Sequence, residues 1–238
     1  NSSPRGPMTC TPFATSTASV VAFQSSAKYN DLQINSDQVW TGPSAITLVS
    51  HDRVDATKPA NAPAVNPSIS PDGTYVAFES SADNLVGDDF NGAVDIFLAQ
   101  PAAPGATVRV SVPSTGGEAS GFAPSPTAPP AVSADGNIVA FESDSSNLVN
   151  GDTNGVTDIF VRDRGTGHTE RVRVATDGTQ GNKGSFRPGL SADGRFVVFE
   201  SAASNLLAGG GDSNNVKDVF LRDRQTNGTN RIRQWNAP

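Results

Sequence analysis

The fold of this chain is decided by one stretch, Pro188-Gly-Leu-Ser-Ala-Asp193-Gly194-Arg-Phe-Val-Val-Phe199-Glu200-Ser201. At its centre, Asp193-Gly194 is a tight-turn signal, because the Asp side chain accepts nearby backbone N–H donors and Gly tolerates positive φ. The residues after the turn are rich in Val and Phe, which is typical of a β-strand. The stretch therefore predicts a short strand, a tight turn and a second strand.

The same stretch occurs four times along the 238 residues, at intervals of roughly 55 to 63 residues. Two further copies are intact, at 67–80 and 130–143, and each keeps its own Asp-Gly turn. A degenerate copy opens the chain at 12–25, where Thr17-Ala18 replaces Asp-Gly. Such self-similarity indicates a repeat architecture rather than one irregular domain.

The second half of each repeat also recurs. An Asp-Ile-Phe strand is expected at Asp95, Asp158 and Asp218, with Asp37-Gln-Val-Trp40 as the degenerate version. A short last strand is expected at Leu48-Val-Ser50, Arg109-Val-Ser111, Arg171-Val-Arg173 and Arg231-Ile-Arg233. Four short antiparallel strands per repeat, with no sustained helical period, predict an all-β β-propeller with four visible four-stranded blades. We expect one propeller domain over 1–238, with repeat units of approximately 12–66, 67–129, 130–187 and 188–238.

The elements Ser-x-Asp-Gly-x-x-Val-Ala-Phe-x-Ser and Asp-Ile-Phe-x-x-Asp resemble the TolB-type, WD-repeat-like propeller repeat of bacterial exported proteins. The resemblance runs from about Pro12 to Trp235. It implies a secreted, periplasmic or cell-surface location, and propellers of that family usually have six to eight blades. Four blades therefore leave three arrangements open: a small closed ring, part of a longer protein, or a homo-oligomer in which two chains form one ring.

An acidic loop between the two halves of each unit is the best candidate for chemistry. Oxygen-bearing side chains recur at positions 1, 3 and 7 of this loop. Calcium prefers six to eight oxygen ligands of this kind, so we predict calcium as a cofactor in at least one blade. The alternative is that these residues only form the turn. The predicted ligands are Asp89, Asn91, Asp95, Asp152, Asn154, Asp158, Asp212, Asn214 and Asp218, with Asp31, Gln33 and Asp37 in the degenerate unit.

Two further charged sets repeat. Glu79, Glu142 and Glu200, with Gln24 in the first unit, occupy equivalent strand positions. They predict either a cation or acid–base site in the central channel, or hydrogen bonds to their own or a neighbouring blade. The triplets Arg162-Asp163-Arg164 and Arg222-Asp223-Arg224 predict ion pairs at the surface or between blades.

Several classes of function are disfavoured by composition. The net charge of −7, without a basic stripe, argues against a nucleic-acid partner. No apolar run approaches the ~20 residues needed to span a membrane, so membrane insertion is not expected. The single cysteine, Cys10, excludes an intrachain disulfide and a zinc site made of several thiolates. The two histidines, His51 and His168, lie in different units, and there is no Gly-x-Ser-x-Gly motif.

The sequence thus favours an extracytoplasmic binding or scaffolding module that presents loops and a central face to a protein or glycan partner. Calcium would stiffen its acidic loops. Two alternatives stay open: a hydrolase or lyase with a carboxylate or metal site in the central channel, and a lectin. Unequal acidic groups that converge on the axis would favour an enzyme, whereas a symmetric ring would favour a scaffold.

Overall fold

The structure is a computed structural model that describes residues 13–14, 20–25, 37–42, 46–103, 105–121, 128–207, 212 and 216–233. These residues form strands and loops, and no helix occurs among them. Four antiparallel sheets of four strands follow one another along the chain, each in simple sequential order. Blade one contains β1 (Phe13–Ala14), β2 (Val21–Ser25), β3 (Gln38–Gly42) and β4 (Thr47–Leu48), and blade two contains β5 (Ala64–Ile69), β6 (Val76–Ser80), β7 (Asp95–Ala99) and β8 (Val108–Arg109). Blade three contains β9 (Ala131–Val132), β10 (Ile138–Ser143), β11 (Asp158–Asp163) and β12 (His168–Arg171), and blade four contains β13 (Ser185–Leu190), β14 (Phe196–Ser201), β15 (Asp218–Asp223) and β16 (Gly228–Arg233).

Each blade is centred on one aromatic pair across its two middle strands. Phe78 faces Phe97 in blade two, with ring centroids 5.8 Å apart. The equivalent pairs are Phe141–Phe160, Phe199–Phe220 and, in blade one, Phe23–Trp40. Such directly opposed aromatic pairs stabilise an antiparallel ladder, which explains why Phe recurs in both halves of the repeat.

The blades pack face to face because side chains alternate along their strands. In β6, Phe78 packs towards blade one, whereas its neighbour Ala77 packs towards blade three. The same alternation joins Ile159 and Val161 of blade three to the Phe pair of blade four. Buried apolar clusters therefore connect blades one to two, two to three and three to four.

The Asp-Gly turn between the first two strands has the predicted chemistry. In blade four the backbone N–H of Arg195 donates to Asp193, and the Ser191 hydroxyl donates to the same carboxylate. These bonds lower the pKa of Asp193. The turn also packs against the preceding blade: a Cβ on Gly136 would lie 2.5 Å from the Tyr75 ring, and Gly136 has a φ of 69°. Glycine is therefore required there for both space and conformation.

Two details of the predicted register are wrong. The last strand of every blade begins earlier in the sequence than expected, and in the first three blades it ends at the first expected residue, as β8 does at Arg109. In blade one, the pairing of Ser25 with Gln38 matches that of Ser80 with Asp95. Gln38, and not Asp37, is therefore the equivalent of Asp95.

Candidate functional site

In blade two the acidic loop closes around an arginine of the same blade. The Nη1 atom of Arg109, at the end of β8, lies 3.2 Å from the carboxylate of Asp89 and 3.4 Å from that of Asp95. All three side chains are buried. Burial, together with repulsion from Asp95, raises the pKa of Asp89 to about 6, while Arg109 opposes that shift. One guanidinium thus supplies the positive charge that both carboxylates need inside the blade.

The same arrangement recurs in blades three and four. Arg171 Nη1 lies 3.0 Å from Asp152 and 3.7 Å from Asp158, and Arg231 Nη1 lies 3.7 Å from Asp212 and 3.0 Å from Asp218. Blade three adds a second arginine, because the fully buried Arg173 also contacts Asp158. Burial is the main cause that raises the pKa of Asp158 to about 6.

Blade one replaces both members of this ion pair by neutral residues. Gln38 stands where the other blades have Asp, and Leu48 pairs with Trp40 as Arg109 pairs with Phe97. The Ser50 hydroxyl donates to Gln38 Oε1 at 2.7 Å, as the Ser111 hydroxyl donates to Asp95. Blade one thus lacks both the Asp and the Arg of this pair, as expected of two groups that neutralise each other.

The asparagine at position 3 of the loop connects a blade to the chain segment that leaves it. Asn91 Oδ1 accepts the backbone N–H of Ala93, and its Nδ2 donates to Asp95 and to the carbonyl of Ala119. Asn154 makes the same contacts with Val156, Asp158 and Gly181. Asn214, the third predicted ligand of this type, lies outside the described residues, as do Asp31, Gln33 and Cys10.

A second asparagine in blades two, three and four holds the connecting segments from the other side, and the sequence predictions did not include it. Asn147 Oδ1 accepts the N–H of Ser120, and its Nδ2 donates to the carbonyl of Glu118. Asn84 and Asn205 repeat this two-point clamp. The sequence does contain a pattern that marks these asparagines, because an Asn-Leu pair recurs at 84–85, 147–148 and 205–206.

The loop residues do not fit a calcium ion while the arginine is in place. Calcium needs six to eight oxygens. Here the two carboxylates of each loop contact a guanidinium, and the Asn91 oxygen accepts a backbone N–H. Across the part of the chain that the structure describes, no three His, Cys, Asp or Glu side chains are grouped to hold a metal ion. The calcium prediction stays a prediction.

The repeated carboxamide and glutamates act at the boundaries between blades, and they are not equivalent. Gln24 accepts the N–H of Asn66 in blade two, and Glu142 accepts the N–H of Arg187 in blade four. Glu200 instead contacts the Arg187 side chain. Glu79 is buried, and its Oε2 atom has no hydrogen-bond partner among the described residues.

The arginine triplets include the predicted contacts between blades. Arg224 Nε of blade four lies 2.5 Å from the Glu170 carboxylate of blade three. Arg164 of blade three stacks over the Tyr75 ring of blade two at 5.7 Å.

The two histidines lie apart from these contacts. His168 is exposed and lines a surface cleft of about 420 Å³, whereas His51 is buried and contacts the carbonyl of Asp52. The structure does not bring them together with the acidic loops.

In fold, the chain resembles solved structures of two TolB proteins and of a peptidase. It matches TolB from Acinetobacter baumannii with a TM-score of 0.54 and 20% identity, over 95% of this chain and 43% of that one. A putative TolB from Agrobacterium tumefaciens gives 0.54 and 16%, over 95% and 62%. A puromycin-hydrolysing peptidase from Mycobacterium tuberculosis gives 0.55 and 14%, over 94% and 29%. The chain thus spans less than two thirds of the length of each, no family model matches it, and no curated protein matches its sequence.

Four consecutive four-stranded antiparallel blades, packed face to face, define a β-propeller. Together with the likeness to the two TolB structures, they give the chain a TolB-type β-propeller fold with four blades. This confirms the fold class expected from the repeat. Within the described residues, no helix is long and apolar enough to cross a membrane.

Proposed function

We propose that this protein is an extracytoplasmic interaction module, secreted, periplasmic or at the cell surface, that binds a protein partner through the loops of blade two. The observation that carries the proposal is Phe90, whose side chain is 82% exposed in the middle of the acidic loop. Aromatic side chains, Phe among them, are enriched in protein–protein interfaces, where buried aromatic residues serve as anchors.

Phe90 distinguishes blade two from its repeats. Its equivalents are Thr153 in blade three and Ser213 in blade four, so the aromatic ring is not needed to build the loop. The backbone N–H of Phe90 donates to Glu118, which ties this position to the next connecting segment. The backbone that carries the ring is therefore fixed by a hydrogen bond to the neighbouring segment.

A second exposed apolar side chain belongs to the same region. Val54 is 80% exposed, and it lies in the segment that leads into blade two. The neighbouring Arg53 N–H donates to the carbonyl of Asn84, within the loop that also carries Phe90. Two apolar side chains on fastened backbone segments provide the central anchors that a protein interface requires.

The charges around these anchors indicate the chemistry of the partner. The Asp88 side chain is 80% exposed beside Phe90, and Asp83 is also exposed on this loop. Asp88 lies 3.9 Å from Arg109 Nη2 and Asp83 accepts a hydrogen bond from Asn61, but both carboxylates also face solvent. A partner with an apolar pocket and a basic rim fits this surface.

The carboxylates give less support to an enzyme. The acidic side chains of the loops are engaged by arginines of their own blades, and Glu142 makes a bond between blades. A lectin is favoured by one observation, since an exposed ring such as Phe90 can also stack on a sugar. Exposed carboxylates also accept hydrogen bonds from sugar hydroxyls, so they do not separate the two partners. The ring is not repeated in blades three and four, where Thr153 and Ser213 stand, so the protein partner is preferred over a repeated sugar site.

The test compares the binding of three immobilised proteins: the wild type, Phe90→Thr and Ile232→Thr. Thr is the residue of blade three at the Phe90 position, and Ile232 is an exposed apolar control at 56% exposure on blade four. We expect Phe90→Thr, but not Ile232→Thr, to lose proteins captured from an extracytoplasmic fraction, and capture to weaken with salt. A glycan array bound by the wild type and lost in Phe90→Thr would support the lectin instead. Equal capture by all three proteins would contradict a site at blade two.

Calcium enters this proposal in a narrower form than the sequence suggested. An ion can use Asp89 and Asp95 only if Arg109 leaves, because the guanidinium lies within 3.4 Å of both carboxylates. We therefore propose that arginine stiffens the loops in the wild type, and that calcium competes with it.

A further inference from the structure

The first and third boundaries between successive blades share one kind of hydrogen-bonded joint, near the first strand of the following blade. At the first joint, the Asn66 N–H donates to Gln24 Oε1 at 3.0 Å, and at the third, the Arg187 N–H donates to Glu142 Oε1 at 2.6 Å. Asn66 and Arg187 have φ values of 51° and 58°, and each sits at a register shift in its strand. The two donors are therefore the same position of the same bulge, one residue before a proline.

The second joint lacks its donor. The residue at the bulge position, immediately before Pro130, is Pro129. Proline has no backbone N–H, so it cannot donate to the carboxyl group of the preceding blade. That group is Glu79, which is 3% exposed and whose Oε2 has no hydrogen-bond partner in the described part of the chain.

A buried carboxyl group that lacks this backbone donor is more stable when it is neutral. Burial is the main cause that raises the pKa of Glu79 to about 8, and the nearby carboxylate of Glu142 raises it further. The side chain of Asn66 opposes the shift, because it is a hydrogen-bonding neighbour of the Glu79 carboxyl group. Among the described residues, Glu142 and Asn66 are the charged and polar groups that act on Glu79 from the strands around it. The first joint shows that a neutral side chain suits this position, because it uses Gln24.

We propose that the joint between blades two and three is a pH-sensitive hinge. With Glu79 protonated the two blades stay packed, and loss of that proton places an uncompensated charge between them and loosens this joint. The joints at Gln24 and Glu142 keep their N–H donors and hold. The folded state binds the proton more tightly than the unfolded chain, so stability is full below the ordinary pKa of Glu and falls as pH rises through about 8.

The test measures thermal unfolding, and hydrogen exchange in β6 and β10, at about pH 6 and about pH 9. We expect the wild type to lose several degrees in Tm and to gain exchange at these strands at the higher pH. Two variants should remove most of that loss: Glu79→Gln, which copies blade one, and Pro129→Asn, which copies the donor of the first joint. Glu200→Gln, the matched control at the equivalent strand position of blade four, should keep it.

An equal loss in the wild type and in Glu79→Gln would overturn the proposal, because the titrating group would then lie elsewhere. A direct measurement does not depend on the folding of any variant. The carboxyl carbon of Glu79 in the wild type can be titrated by NMR, and we expect a midpoint well above that of exposed glutamates. A midpoint in their ordinary range would also overturn it.

Discussion

The Nη1 atom of Arg109 lies 3.4 Å from the carboxylate of Asp95, and both side chains are buried in blade two. The two residues come from the third and fourth strands of one blade, so each blade can balance its own acidic loop. Three blades keep this pair, and blade one replaces it with Gln38 and Leu48. The repeated acidic motif is thus explained by a need inside the blade.

Removal of Arg109 alone should destabilise the folded protein. In Arg109→Leu, Asp89 and Asp95 would stay buried without their common cation, which we expect to lower the free energy of unfolding by about 3–5 kcal/mol. Denaturant-induced unfolding measures this change. Lys58→Leu is the matched control, because Lys58 and Asp55 form an exposed pair that should matter little.

The same experiment includes a rescue. The double variant Asp95→Gln with Arg109→Leu installs the neutral pair of blade one, and we expect it to recover about half of the loss, since Asp89 remains. If the double variant were as unstable as the sum of its two single variants, the Asp–Arg pairing would not be the reason for the motif.

Substitution of the glycine at the turn of blade three should destabilise the protein more than substitution of a glycine in a turn without neighbours. Gly136 and Gly151 both have positive φ, 69° and 74°, so alanine strains the backbone at either position. Only at Gly136 would the added Cβ meet the Tyr75 ring, whereas nothing lies within 4 Å at Gly151. We expect Gly136→Ala to lower the Tm at least twice as much as Gly151→Ala. Equal losses would mean that the turn does not depend on its contact with blade two.

The strands and their pairing could be predicted because they depend on local signals that the repeat shows several times. The alternation around Phe141 and the Asp135-Gly136 turn are readable from a few neighbouring residues. The register of blade one was harder to predict, because its motif is degenerate and Asp37 stands one residue before Gln38, which is the equivalent of Asp95. Only the ladder distinguishes those two positions.

The roles of the site residues could not be read in the same way, because their partners are distant in sequence. Arg109 lies 14 residues after Asp95, and Asn154 contacts Gly181 across 27 residues. Oxygen spacing alone is the same for a calcium loop and for a loop closed by arginine. The difference depends on where the fourth strand places its guanidinium, which is a property of the folded blade.

The most direct test of this account is a calorimetric calcium titration of the wild type and Arg109→Leu, with thermal melting at about 1 mM calcium. We expect little heat and no rise in Tm for the wild type, whereas Arg109→Leu should bind calcium and regain stability, because Asp89 and Asp95 become available. Strong binding by the wild type that is lost in Asp89→Asn would contradict the claim that arginine, and not a metal ion, closes the acidic loop.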